Sequence, residues 1–294
     1  MARQAWSALG RPAPNLKKIS IRFEQDILPS ICLAPGFILF ANHAPLLAHF
    51  QQNHLLMNLE ASWTSDPISL TLNSASDLKL SILLKTCSRM RSLQTLRLMF
   101  NEFAKEGPSP EGSLRYVTIP SLSTLVIKCP FDVSLAFLDH ITPAPGCSLQ
   151  LSANLTNIHS ITPTDLVAAQ RIIAKFTSNY FCHRSATSFR LSFNAKFISA
   201  GDMGGFMVSI RCYCVANIPD SFSLLLLETF EPAYISGVKT LHLFAYFWLP
   251  PAIDFLTPMT ALEVLEITSN SLINFIYLLN GVDQPECSFP HLKT

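Results

Sequence analysis

Cys182-His183 and Cys212-x-Cys214 are the residues of this sequence whose types come nearest to a recognisable chemistry. Three thiolates and one imidazole can complete a tetrahedral zinc site, but the paired cysteines of structural zinc sites have two to four residues between them. One intervening residue departs from that pattern, so no metal site is expected. Gly201 to Gly205, "GDMGG", carries neither the lysine of a phosphate-binding loop nor the glycine spacing of a dinucleotide fold, and reads as a flexible loop. Asp139 and His140 are adjacent, so on a helix they point ~100° apart and cannot act as a dyad with each other. No nucleophile elbow, H-E-x-x-H pair or calcium loop occurs. The expectation is a protein without catalytic, cofactor-binding or metal-ligating residues, and not an enzyme.

Charge narrows the field further. The 294 residues carry 21 Lys and Arg against 20 Asp and Glu, a net charge of +1, and lack the basic stripe of a nucleic-acid binder. The closest basic grouping, Arg89, Arg91 and Arg97, reads as solvated positions. Charged residues make up only 14% of the chain, which raises the question of a membrane. The uncharged run from Ile27 to Leu59 is interrupted by Pro29, Pro35 and Pro45. It therefore offers no stretch of ~18 clean apolar residues. The N-terminus lacks the apolar core of a signal peptide. An intracellular chain, cytoplasmic or nuclear, is expected, with its eight cysteines present as buried free thiols.

The elements that position these residues follow from a repeat. "LQTLRLMFNEF" fits L-x-x-L-x-L-x-x-N-x-L with Leu93, Leu96, Leu98, Asn101 and Phe103. "LEVLEITSNSL" fits it with Leu262, Leu265, Ile267, Asn270 and Leu272. Partial copies begin at Leu16, Leu122, Val238 and Leu292, and weaker ones are "PLLAHF", "ISLTL", "SLQL" and "FRLSF". A proline or methionine often stands two or three residues before the leading position, as at Met90 and Met259. Leucines two apart on a strand point to one side, here the core. The asparagine is expected in a tight turn, its amide bonding backbone groups left free by the bend.

Helical segments separate the strands. Leu80, Leu83, Leu84, Cys87 and Met90 share one face, as do Phe137, Leu138 and Ile141. Thr162 is a good N-cap, with Pro163 at the first helical position and Asp165 in the first turn. "SLINFIYLLNG" follows Asn270 and ends at Gly281, a C-cap type. The fold class is thus α/β, an irregular leucine-rich-repeat solenoid, or horseshoe, with a parallel concave sheet and outer helices. One such domain spans 1–294, better matched over 13–152 and looser over 153–294. It is expected to be incomplete at both ends, since "FPHLKT" stops in mid-repeat. The residues between the core leucines face outward as a candidate partner-binding concave face. They are Lys18, Ser20, Arg22, Thr95, Arg97, Met99, Thr124, Val126, Lys128, Thr240, His242, Phe244, Val264, Glu266 and Thr268.

"APNLKKISI", "APLLAHF", "WTSDPISLTL", "LLKTCSRMRSLQTLRL", "VTIPSLSTLVI" and "FLDHITPAPGCSLQLS" follow one another in a characteristic order. That order resembles the leucine-rich region of the F-box-like proteins of mushroom-forming fungi. The resemblance implies a non-enzymatic protein–protein interaction scaffold, the substrate-recognition part of a cullin-RING ubiquitin ligase. In such proteins a short helical F-box upstream docks the ligase linker. No F-box is legible here, so the linker is an expected partner only where that module is supplied upstream. The remaining partner is a protein target, with neither nucleic acid nor membrane. A stand-alone leucine-rich binding or sensor protein, or a nonfunctional truncated copy, is the alternative.

Overall fold

The computed structural model describes residues 7–22, 38–53, 59, 61–64, 66–73, 78–100, 114–155, 161–213, 217–245 and 251–280. Expectations for Asn101, Phe103, Cys214, Gly281 and Leu292 lie outside the described residues. The fold is mixed α/β with mostly parallel strand pairing, and the chain divides into two compact units, Met1–Ala144 and Pro145–Thr294. No helix among the described residues is long and apolar enough to cross a membrane.

In the first unit, β1 (Lys18–Ile21), β2 (His49–Asn53), β3 (Ser69–Asn73), β4 (Thr95–Met99) and β6 (Thr124–Pro130) pair in that order, all parallel. A short pair, β5 (Val117–Ile119) and β7 (Ile141–Pro143), lies in a separate two-stranded sheet. Helix α1 (Leu80–Cys87) connects β3 to β4, and α2 (Phe131–Asp139) follows β6. Single 3-10 turns, Leu39–Asn42 and Ser62–Thr64, stand in the two earlier crossings. Register puts Ile19, Phe50, Leu70, Leu96 and Leu125 in one inward row. The next inward row is Ile21, Gln52, Leu72, Leu98 and Ile127, in which Gln52 is fully buried among aliphatic neighbours.

One local unit recurs ahead of the strands. The amide of each leading residue donates to the carbonyl three residues earlier: Leu16 to Ala13, Leu47 to Ala44, Leu93 to Met90, Leu122 to Ile119, Val238 to Ile235 and Leu262 to Met259. The residue just before each strand then offers its carbonyl to two consecutive amides of the next unit. Lys17 accepts from Ala48 and His49, Ala48 from Ile68 and Ser69, Ile68 from Gln94 and Thr95, and Gln94 from Ser123 and Thr124. Thr187 and Lys239 repeat the pattern in the second unit. Backbone groups that a sharp entry turn would leave unpaired are satisfied by the neighbouring copy.

The second unit contains β8 (Ser148–Leu155), α3 (Pro163–Phe181), β9 (Ser188–Asn194), β10 (Phe197–Asp202), β11 (Phe206–Cys212), α4 (Asp220–Glu228), α5 (Pro232–Ile235), β12 (Thr240–Ala245), α6 (Pro251–Leu256), β13 (Val264–Ile267) and α7 (Ser269–Asn280). The expected all-parallel order is broken here. β11 pairs parallel with β8, β10 runs antiparallel between β11 and β9, and β9, β12 and β13 continue in parallel. The "GDMGG" loop is accordingly part of a hairpin: Gly201 and Asp202 end β10. A Cβ on Gly201 would come within 2.1 Å of the Phe206 carbonyl oxygen, so only glycine fits between these strands. Phe230 packs at the centre of an aromatic core with Phe181, Phe189, Phe206 and Phe255.

Two other expectations are corrected. Asn270 is the second residue of α7 rather than a turn residue, and Leu272 on that helix is 41% exposed instead of in the core. Ile141 opens strand β7 rather than extending the helix face of Phe137 and Leu138, though it is buried beside them.

Candidate functional site

The side chains between the inward rows of the first unit form a second set of rows on the opposite face of the sheet. Lys18, His49, Ser69, Thr95 and Thr124 stand in register, followed by Ser20, Gln51, Thr71, Arg97 and Val126. Asn53, Asn73, Met99 and Lys128 make the third row, with Arg22 just beyond β1. Lys18, Ser20, Arg22, Arg97 and Lys128 are exposed, and Thr95, Met99 and Thr124 half-buried. Val126 departs from the expectation: it is on this face by register yet only 4% exposed, so it offers no surface to a partner.

Across β1 to β4 this face opens into a concavity of about 340 Å³, lined by Lys18, Arg22, His49, Gln51, Ser69, Thr71, Arg97 and Met99 among others. Three of these are cations, and none of the lining residues among those described is a carboxylate. Thr71 sits in the floor, 7% exposed. His49, Gln51, Ser69 and Thr71 were not assigned to this face from the sequence. The alternation in His49-Phe50-Gln51 and in Ser69-Leu70-Thr71-Leu72 carried the signal, but neither copy has the full consensus. A larger concavity, about 470 Å³, lies by the loops that enter the strands and is lined by Leu46, Asp66, Ser92 and Gln94 with others. Among the described residues its one charged lining residue is Asp66, and the Ile68 and Gln94 carbonyls there already accept two amides each. The smaller groove carries more charged side chains.

In the second unit the expected face residues are drawn into contacts with each other. His242 Nδ1 lies 2.6 Å from Glu266 Oε2, and its Nε2 lies 3.2 Å from the Ser188 hydroxyl. Three adjacent strands thus hold a serine, a histidine and a carboxylate at the distances of a nucleophile, its base and the group that orients the base. Acyl transfer needs in addition donors aimed at a developing oxyanion. The nearby amides are already engaged: Lys239 and Thr240 donate to the Thr187 carbonyl, and Met203 donates to that of Ser188. The chain of contacts ties β9, β12 and β13 together across the sheet.

Beside it the Arg190 guanidinium lies 5.8 Å from the Phe244 ring centroid, with a buried Nε that makes no hydrogen bond among the described residues. Thr240 and Phe244 are half-buried and Val264 exposed. Thr268 is exposed just past the end of β13. Its hydroxyl lies 2.6 Å from Ser271 Oγ and accepts the Ser271 amide, which makes it the N-cap of α7.

The residues weighed for metal or acid–base chemistry have local roles. His140 Nδ1 lies 2.8 Å from the Ala136 carbonyl at the end of α2, and its ring stacks on Tyr116. Cys182 is exposed at the end of α3 while Cys212 is buried in β11, and no group of three or more potential ligands forms among the described residues. Arg89, expected to be solvated, donates to the Leu59 carbonyl. Burial pushes the thiols of Cys87, Cys129 and Cys147 up to about 12, which leaves them protonated at neutral pH.

Comparison with protein families, with curated proteins and with solved structures finds no match to this chain.

Proposed function

We propose that the chain is a leucine-rich-repeat solenoid acting as a non-enzymatic protein-binding scaffold, the target-holding part of an F-box-type ubiquitin-ligase adaptor in the cytoplasm or nucleus. One observation carries the binding part of this reading. Side chains of four adjacent parallel strands line a single open groove, rich in hydrogen-bond donors. Such a face, supported from behind by packed leucine rows, holds its side chains at fixed spacing and so suits recognition of an extended surface. The recurring entry turn and carbonyl ladder support the repeat reading, because each copy satisfies the backbone of the next. The ligase part rests on the order of sequence motifs alone.

Two measurements separate these parts. Proximity labelling in cells with the wild type and with Ser69→Trp, which fills the groove, is expected to give a set of protein neighbours that the variant loses. Identical neighbour sets would overturn the binding reading. Fusion of an F-box module upstream is expected to bring down the ligase linker together with those same neighbours. Neighbours that stay unaltered in abundance and ubiquitylation when the fused chain is expressed would overturn the ligase part and leave the scaffold.

A further inference from the structure

We propose that the groove across β1 to β4 binds an extended, acidic segment of a protein partner, with carboxylates at alternate residues. The inference rests on the scaffold reading and specifies its ligand. Among the described residues the groove's charge is one-signed: Lys18, Arg22 and Arg97 line it, no lining residue is a carboxylate, and His49 stands beside them. Thr71, only 7% exposed in the floor, adds a hydroxyl to the same lining, a group that can donate to an acceptor lying in the groove.

The spacing of the cations decides between a compact anion and a distributed one. Lys18 is on β1 and Arg97 on β4, three strand spacings of ~4.8 Å apart, or about 14 Å between backbones. A single phosphate is too small to reach both ends. An extended peptide places side chains i and i+4 on one side about 13–14 Å apart, with i+2 midway. Carboxylates at i and i+4 then meet Lys18 or Arg22 at one end and Arg97 at the other. The middle one lies over the floor, within reach of the Thr71 hydroxyl, the Gln51 amide and His49. Charge-assisted hydrogen bonds of this kind fix register along the segment and hold off segments of the wrong sign.

The test uses the full chain and fluorescein-labelled Gly/Ser peptides. One carries Glu at positions i, i+2 and i+4, a second carries Gln there, and a third carries one phosphoserine at i+2. The alternating Glu peptide is expected to bind about tenfold more tightly than the Gln peptide and to weaken steeply from ~50 to ~500 mM NaCl. Lys18→Gln and Arg97→Gln each weaken it about threefold or more, Thr71→Val weakens it less, and Lys175→Gln in the second unit leaves it unchanged. Circular-dichroism melts check that each variant is folded. Equal binding of Glu and Gln peptides, tighter binding of the phosphoserine peptide, or indifference to Arg97→Gln would overturn the proposal. A parallel selection of random peptides on the full chain then separates it from the scaffold reading. Enriched peptides that lack acidic residues yet are lost with Ser69→Trp overturn the acidic ligand and keep the face. Absence of any enrichment sensitive to Ser69→Trp overturns both.

Discussion

Left-handed backbone at Phe40, Ala41 and Asn42, with φ of 56°, 47° and 58°, is a costly local feature. Each L-residue in that region loses about 1–2 kcal/mol to contact between Cβ and carbonyl, less for asparagine. Phe40 is retained because its ring is buried edge-on against Trp63. Ala41 is exposed and has no such compensation. Ala41→Gly is therefore expected to stabilise the protein by about 0.5–1 kcal/mol, since relief of strain exceeds the added freedom of the unfolded chain. A lower urea midpoint for the variant would refute the strain argument. Thiol reactivity gives a second prediction at this scale. Iodoacetamide at pH 8 followed by peptide mapping is expected to modify Cys182 while Cys87, Cys129 and Cys147 stay unmodified until urea is added. Rapid modification of Cys87 in the native protein would contradict its burial.

Elements differ in how openly the sequence announces them. The start of α3 was fully legible because its cap is written in contiguous residues. Thr162 accepts the Asp165 amide, Asp165 accepts the Thr162 amide, and Pro163 opens the helix. The Thr162 amide and, at 2.7 Å, the Thr162 hydroxyl both donate to the Asp165 carboxylate and hold it below its usual range. Thr162→Ala is expected to cost about 1 kcal/mol in thermal unfolding. A depressed carboxylate stabilises above its unfolded pKa and loses that contribution as pH falls through its folded value. Hence the gap between wild type and Thr162→Ala should narrow in acid; a gap constant from pH 7 to pH 2 would sink the capping account. The β10–β11 hairpin was not legible. Its strands carry ordinary alternation, and nothing local in "FISAGDMGGFMVSI" says that β11, rather than β9, will take the place beside β8. The face residues of β2 and β3 were missed for a related reason. Outward positions have no compositional rule, so they become visible only once register assigns each strand a neighbour.

At the scale of the whole molecule, the leucine rows were readable because burial constrains residue type at every second strand position. The groove's sign was not, because it arises from Lys18, Arg22 and Arg97 meeting across β1 to β4 in a chain of net charge +1. Nearly balanced charge also means that global repulsion contributes little near neutral pH, so the response to base is governed by particular buried acids. Cys87, Cys129 and Cys147 are each raised from about 9 to about 12, in every case first by removal from water; in Cys147 Arg184 opposes the rise. Tyr180 is raised as well, first by burial and then by its hydrogen bond to Asp202. A group whose folded pKa lies above its unfolded one keeps its stabilising effect in full below the unfolded value. That effect is lost as pH rises towards the folded value, because the unfolded chain releases its proton first. The urea midpoint should therefore hold from pH 7 to about 8.5 and fall between about 9 and 12. In Cys87→Ala/Cys129→Ala/Cys147→Ala the midpoint at pH 7 will be lower from lost packing, but its decline with pH should be shallower than in the wild type. Parallel declines in the two proteins would show that the thiols do not control the alkaline limb.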